Sequence, residues 1–187
     1  KLTAFIAIHR RKSKAAFGAT RLLRYSSPTE ALRDSLRLSK LMSYKSALAE
    51  LPYSGAKAVI MADPPFSSKK DAFRAYAQAV NILNGSFITG SDVGLSQEDV
   101  QMMRKTCPFM VGVKLDPTKY TAAGLLNGLQ ISLKETLGSE DITNRSFAIQ
   151  GLGKIGFELL GLIYPHTQKI FVSDVNSEKI KIAKKNF

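Results

Sequence analysis

Two lysines stand twelve positions apart in "SYKSALAELPYSGAKAVI", residues 43 to 60, among Ala47, Ala49, Gly55, Ala56, Ala58 and Val59. Small neighbours let a ligand approach an ammonium group closely. Two ammonium groups at one pocket oppose each other's charging, which suits one of them to proton transfer. The pair fits a substrate with one carboxylate and one protonatable group: one lysine holds the carboxylate and the other handles a proton. Lys45 and Lys57 also fit a plainer arrangement, with apolar stems packed and charged heads in water.

A second constellation is Gly151-Leu152-Gly153-Lys154-Ile155-Gly156, a GxGxxG pattern between an expected strand and an expected helix. Asp174 closes the next expected strand, 18 residues after Gly156. In a dinucleotide site such glycines make a tight turn and let backbone approach the pyrophosphate. The helix N-terminus, here Lys154 and Ile155, then faces the phosphates, and the acidic residue binds the ribose hydroxyls. A carboxylate there favours NAD over NADP. His9 and His166 lack metal-ligand spacing, so no metal site is expected.

These residues need elements to hold them. "LTAFIAI" and "AAFGATRLL" read as strands. "SSPTEALRDSLRLSKLMSYKSAL" reads as a helix, with Ser27 as N-cap, Pro28 in the first turn and Glu30 closing a capping box. Its apolar residues Leu32, Leu36, Leu38, Leu41 and Met42 recur near helical spacing. "KAVIMA" is a strand ended by Pro64-Pro65. "SKKDAFRAYAQAVNIL" is a helix, "SFITGSDV" a strand and turn, "SQEDVQMMRKT" a helix capped by Ser96, and "FMVGVKL" a strand. A long helix begins after Asp116 as cap and ends at Gly138. The polar stretch 139–145 is the expected boundary, giving domains 1–140 and 141–187. Beyond it, strand, glycine turn, helix, strand and helix follow as a βαβα portion. The class is α/β, a mixed-sheet domain followed by the start of a Rossmann domain.

Composition narrows the rest. The 187 residues carry a net charge of +12, concentrated at the front: residues 1–60 hold 12 Lys or Arg against 3 Asp or Glu. "HRRKSK", residues 9 to 14, lacks interleaved base-stacking aromatics, so a nucleic-acid partner is not expected. Cys107 is the only cysteine, which excludes an intrachain disulfide and fits a reducing, cytoplasmic setting. No apolar run approaches the roughly 20 residues of a membrane span. The chain opens inside an expected strand without Met and stops in a helical pattern, so it is expected to be a fragment.

The sequence resembles the amino-acid dehydrogenases acting on glutamate, leucine, phenylalanine and valine, and is most similar to the leucine dehydrogenase branch, which includes the valine, phenylalanine and tryptophan enzymes. The resemblance runs through "LTAFIAIH", "FGATR", "SPTEALRDSLRLSKLMSYKSA", "SGAKAVIMADP", "NGSFITGSDVG", "FMVGV", "AIQGLGKIG" and "FVSDV". It implies an oxidoreductase of amino-acid metabolism that forms oligomers. The implied reaction is NAD-dependent oxidative deamination of a branched-chain or aromatic L-amino acid to the 2-oxo acid and ammonia. By the same resemblance Lys45 binds the substrate carboxylate, Lys57 is the catalytic base and Asp92 assists proton transfer at the amino group. Gly18, Ala19 and Met42 line the substrate pocket. A carboxylate 35 residues beyond Lys57 is a natural counter-ion for it. Ser54 and Ala56 depart from a more glycine-rich loop and are expected to add side chains beside the substrate. These departures leave room for a second reading, a catalytically inactive or truncated relative that keeps the fold for binding or assembly.

Overall fold

A computed structural model describes residues 2–10, 15–63, 65–112, 116–167 and 169–187. Most of the basic run, Pro64 and the end of "FMVGVKL" therefore lie outside the described residues. The chain divides into two compact units, Lys1–Leu115 and Asp116–Phe187.

The first unit is built on a mixed sheet. Strand β1 (Ala4–Ile8) runs antiparallel to β4 (Ser54–Met61), pairing Ala7 with Lys57. The expected strand "AAFGATRLL" is two short pieces, β2 (Ala16–Phe17) and β3 (Thr20–Leu23), separated by Gly18 and Ala19. Both run parallel to β4, with Ala16 opposite Ser54 and Thr20 opposite Ala58. β5 (Phe87–Ile88) pairs with β2, and a single bridge joins Thr89 to Met110 where a longer strand is expected.

Side chains alternate across β4, and the two faces differ. Ala56, Ala58 and Ile60 join Phe73, Tyr76, Val80, Phe87, Val100, Met103 and Met110 in the main core. That core is completed by α2 (Lys69–Ile82) and α3 (Gln97–Arg104). Each of its buried aromatics contributes about 1.5–3 kcal/mol. A buried hydroxyl cluster sits within this unit: Thr20 Oγ1 lies 2.6 Å from Tyr76 Oη and 2.8 Å from Thr89 Oγ1. On the opposite face Val59 and Met61 pack on Ala31 of α1 (Pro28–Leu48).

Small residues line the buried seam of helix α1, with Leu38 and Met42 of its apolar set only half-buried. Its buried residues are Ala31, Ser35, Ser39 and Ser46, while Leu32, Leu36 and Leu41 are exposed. The reason is proximity. A β-carbon on Gly55 of β4 would lie 2.1 Å from Ser43 N and 2.3 Å from Ser39 O, so helix backbone touches strand backbone there. Only small side chains fit such a seam. Ser35 and Ser39 satisfy their hydroxyls on the carbonyls of Leu32 and Leu36, three residues back. At the N-terminus, the Ser27 hydroxyl accepts from Glu30 N as expected. The Glu30 carboxylate, however, accepts from Ser26 N and Oγ rather than from the N-cap amide.

The second unit holds α4 (Thr118–Leu137), β6 (Ser146–Gln150), α5 (Lys154–Ile163), β7 (Lys169–Ser173) and α6 (Ser177–Asn186). β6 and β7 are parallel, and Ile149, Leu152, Leu160 and Ala183 form its core with Phe157, Ile170 and Phe187. Helix α4 packs on α5, so the division by contacts falls before α4 rather than in the polar stretch 139–145. Pro117 takes the N-cap position of α4, although Asp116 Oδ1 still accepts from Thr118 N. Gly138 ends the helix at φ 75°. No described helix is long and apolar enough to cross a membrane.

Candidate active site

The site of the first unit lies between β3, β4, α1 and the turn after β5. Period two puts Gly55, Lys57, Val59 and Met61 on the α1 side of β4. Ala56 falls on the other side, its methyl in the main core, while Ser54 borders a hollow beside α1 with Ser43 and Tyr44. The residue that precedes Lys57 on its own face of β4 is Gly55.

Lys57 is buried, its side chain 7% exposed, and its Nζ lies 2.6 Å from Asp92 Oδ2. Asp92 reaches this position because residues 90–93 run beside β3: Thr20 N donates to Gly90 O and Leu22 N to Val93 O. Burial opposes the Asp92 charge, yet the Lys57 ammonium, the Val93 amide and the Arg21 guanidinium hold its carboxyl below the usual carboxylate range. An ionised acceptor beside a buried ammonium is an arrangement that can pass a proton.

Gly18 and Ala19 run along the same stretch of β4. Gly18 N donates to Ile88 O, and Ala58 N donates to Ala19 O. A β-carbon on Gly18 would lie 1.8 Å from Ala56 O. Met42 contributes backbone to the seam at Gly55. Lys45 sits exposed in the last turn of α1, with no ion pair among the described residues. Its placement follows from a three-way clasp. Ser43 Oγ accepts from Gly55 N at 2.8 Å and lies 3.0 Å from His9 Nδ1, tying α1, β4 and the end of β1 together. Lys45 and Lys57 each follow that clasp by two residues along their own elements.

Sequence reasoning missed the residues behind the pair. Arg21 donates through Nε to Asp92 Oδ2 and through Nη1 to Asp34 Oδ2, each at 3.0 Å. Asp34 also accepts from Tyr25 Oη at 2.7 Å and Arg37 Nη2 at 2.8 Å. Burial and then the Asp34 carboxylate push the Tyr25 phenol up to about 12. The available signal was a single charged residue inside the strand "TRLL".

In the second unit the glycine turn has the shape its pattern requires. Gly151 has φ 95°, and a β-carbon on it or on Gly153 would meet open space. One on Gly156 would lie 2.0 Å from Gly151 O, so that glycine lets α5 pack on the turn. Asp174 Oδ2 accepts from Leu152 N at 2.6 Å and Oδ1 from Asn176 N at 2.8 Å, and these amides hold its carboxyl below the usual range. An open turn at a helix N-terminus with an ionised carboxylate beside it fits a dinucleotide.

These features belong to a defined class. The family described as "Glu/Leu/Phe/Val dehydrogenase, dimerisation domain" matches residues 1–109, and the chain belongs to that family. Among curated relatives, L-tryptophan dehydrogenase of Nostoc punctiforme is 40% identical over 190 residues, spanning 100% of this chain and 54% of the relative. Phenylalanine dehydrogenase of Bacillus thermotolerans is 40% identical over 186 residues (96% and 49%). Leucine dehydrogenase of Bacillus cereus is 34% identical over 192 residues (100% and 52%). The chain thus spans about half the length of the curated relatives it matches. The crystal structure of the Nostoc punctiforme tryptophan dehydrogenase superposes with a TM-score of 0.76 at 38% identity, covering 100% of this chain and 54% of that one. A hetero-hexameric glutamate dehydrogenase from Thermus thermophilus shares the fold, with a TM-score of 0.69 at 19% identity over 100% of this chain and 55% of that one.

Proposed function

We propose that this chain carries the substrate-side catalytic unit, and the opening of the cofactor unit, of an NAD-dependent L-amino-acid dehydrogenase. The reaction is oxidative deamination of a branched-chain or aromatic amino acid to its 2-oxo acid and ammonia. The observation that carries this reading is the buried Lys57–Asp92 pair at 2.6 Å.

Lys45, an exposed cation at the end of α1, holds the substrate carboxylate. The Gly18–Ala19 backbone and Met42 bound the pocket around Cα. Lys57 takes and returns protons as water adds at Cα and ammonia leaves, and Asp92 handles the proton at the amino group. The seam of α1 on β4 fixes the separation of these groups, which sets how far substrate is aligned before reaction. Gly151, Gly153, Gly156, the amides of Lys154 and Ile155, and Asp174 would hold NAD. When bound, NAD accepts the hydride from Cα. The exposed leucines of α1 support assembly as a homo-oligomer.

The test is turnover by the full-length protein with leucine, valine, phenylalanine or tryptophan and NAD, read as NADH formation. Lys57→Ala should abolish turnover in a folded protein, and Lys45→Ala should mainly raise KM. A folded full-length protein that oxidises none of these amino acids would reject the proposal.

A further inference from the structure

Asp92 Oδ2 receives two cations, Lys57 Nζ at 2.6 Å and Arg21 Nε at 3.0 Å. Their roles differ in kind. If Lys57 moves protons, it is neutral during part of the cycle, and the remaining positive charge on Asp92 is Arg21. A guanidinium stays protonated at any pH an enzyme meets. Arg21 is itself held by Asp34 of α1, which Tyr25 and Arg37 also bind. The charged groups facing Asp92 among the described residues are therefore Lys57 from β4 and Arg21 from β3, with Asp34, Tyr25 and Arg37 behind Arg21.

We propose that Arg21 is a positioning residue for the reaction: anchored on Asp34, it keeps Asp92 in place and anionic while the proton on Lys57 comes and goes. This rests on the roles proposed above for Lys57 and Asp92. A merely structural arginine would tie β3 to α1 through Asp34 and leave the titration of the catalytic pair unmoved.

The test compares Arg21→Met and Arg21→Lys in the full-length protein. Losing a fixed positive charge beside the pair makes its proton harder to remove, so the acid limb of the kcat/KM profile should move up by about one pH unit in Arg21→Met. kcat should fall by about tenfold or more, with KM for the amino acid changing by no more than about threefold. Arg21→Lys should restore the limb but not all of kcat, because an ammonium cannot bridge both carboxylates as a guanidinium does. An unmoved acid limb in Arg21→Met overturns the proposal. A second readout needs no turnover: the carbon-13 titration of the Asp92 carboxyl in this chain, assigned with Asp92→Asn. Arg21→Met should shift that titration to higher pH, and an unchanged curve overturns the proposal. Wild-type protein without turnover rejects the reaction, while the carboxyl titration still decides what Arg21 does. If Arg21→Met does not fold, Arg21→Gln removes the charge while keeping a donor, and reads the same titration.

Discussion

Replacing Gly55 with alanine should be among the most damaging single-methyl changes in this protein. The added carbon would lie 2.1 Å from Ser43 N, 2.3 Å from Ser39 O and 2.6 Å from the Met42 carbonyl carbon. All three are main-chain atoms of α1, so no rotamer change relieves the clash. Restoring contacts of about 3.5 Å requires the helix to retreat by roughly 1 Å or more. That movement stretches the 2.8 Å bond from Gly55 N to Ser43 Oγ and loosens the packing of Ala31 on Val59 and Met61. Overpacking of this kind costs about 1–3 kcal/mol, and an immovable backbone partner puts Gly55→Ala at about 3 kcal/mol. The assay is urea unfolding, read as a lower midpoint at unchanged m. Gly128→Ala is the internal control. Nothing lies within 4 Å of a β-carbon at that interior position of α4, so the same methyl should stabilise by about 0.5–1 kcal/mol. In the full-length protein, a shift of about 1 Å at Lys45 should lower kcat/KM by about a hundredfold. A Gly55→Ala variant within about 0.5 kcal/mol of wild type would refute the backbone-to-backbone seam.

Thr20→Val should destabilise by about 2 kcal/mol in urea unfolding, because it strands the buried Tyr76 and Thr89 hydroxyls; Thr20→Val with Tyr76→Phe should recover part of the loss, and equal losses would show that the bond to Tyr76 is not what matters. The Asp92 and Asp34 carboxyls lie below their usual range when folded, so their contribution is fully present above the unfolded value of about 4 and fades as pH falls through the folded values. The stability gap between wild type and Asp34→Asn should therefore narrow from pH 7 towards about pH 3, and a gap constant with pH would contradict the assignment. Ser96→Ala should cost about 1 kcal/mol, because Ser96 and Asp99 cap α3 reciprocally; an unchanged unfolding midpoint would remove the cap from the account.

Local chemistry made much of this protein legible in its sequence. Caps placed α1 and α3, because a serine hydroxyl or a first-turn proline acts within a few residues. The GxGxxG turn and Asp174 were legible for the same reason, since strand, turn and helix are adjacent in the chain. Lys45, Lys57 and Asp92 were singled out by motif.

Tertiary structure decided what depends on distant partners. The inner face of α1 follows Ser35, Ser39 and Ser46 rather than Leu32, Leu36 and Leu41, because β4 offers backbone at Gly55 and close approach outweighs apolar periodicity. β2 and β5 were legible as strand segments, but their parallel pairing, Ala16 with Phe87 and with Ser54, joins residues far apart in the chain. Arg21 and Asp92 meet across 71 positions, and Arg21 gains a second partner on α1 that no local spacing encodes. The sequence by itself thus determined which groups can do chemistry and where the helices begin. Only the packing of strand on helix determined which faces meet, and through them which charges share an oxygen.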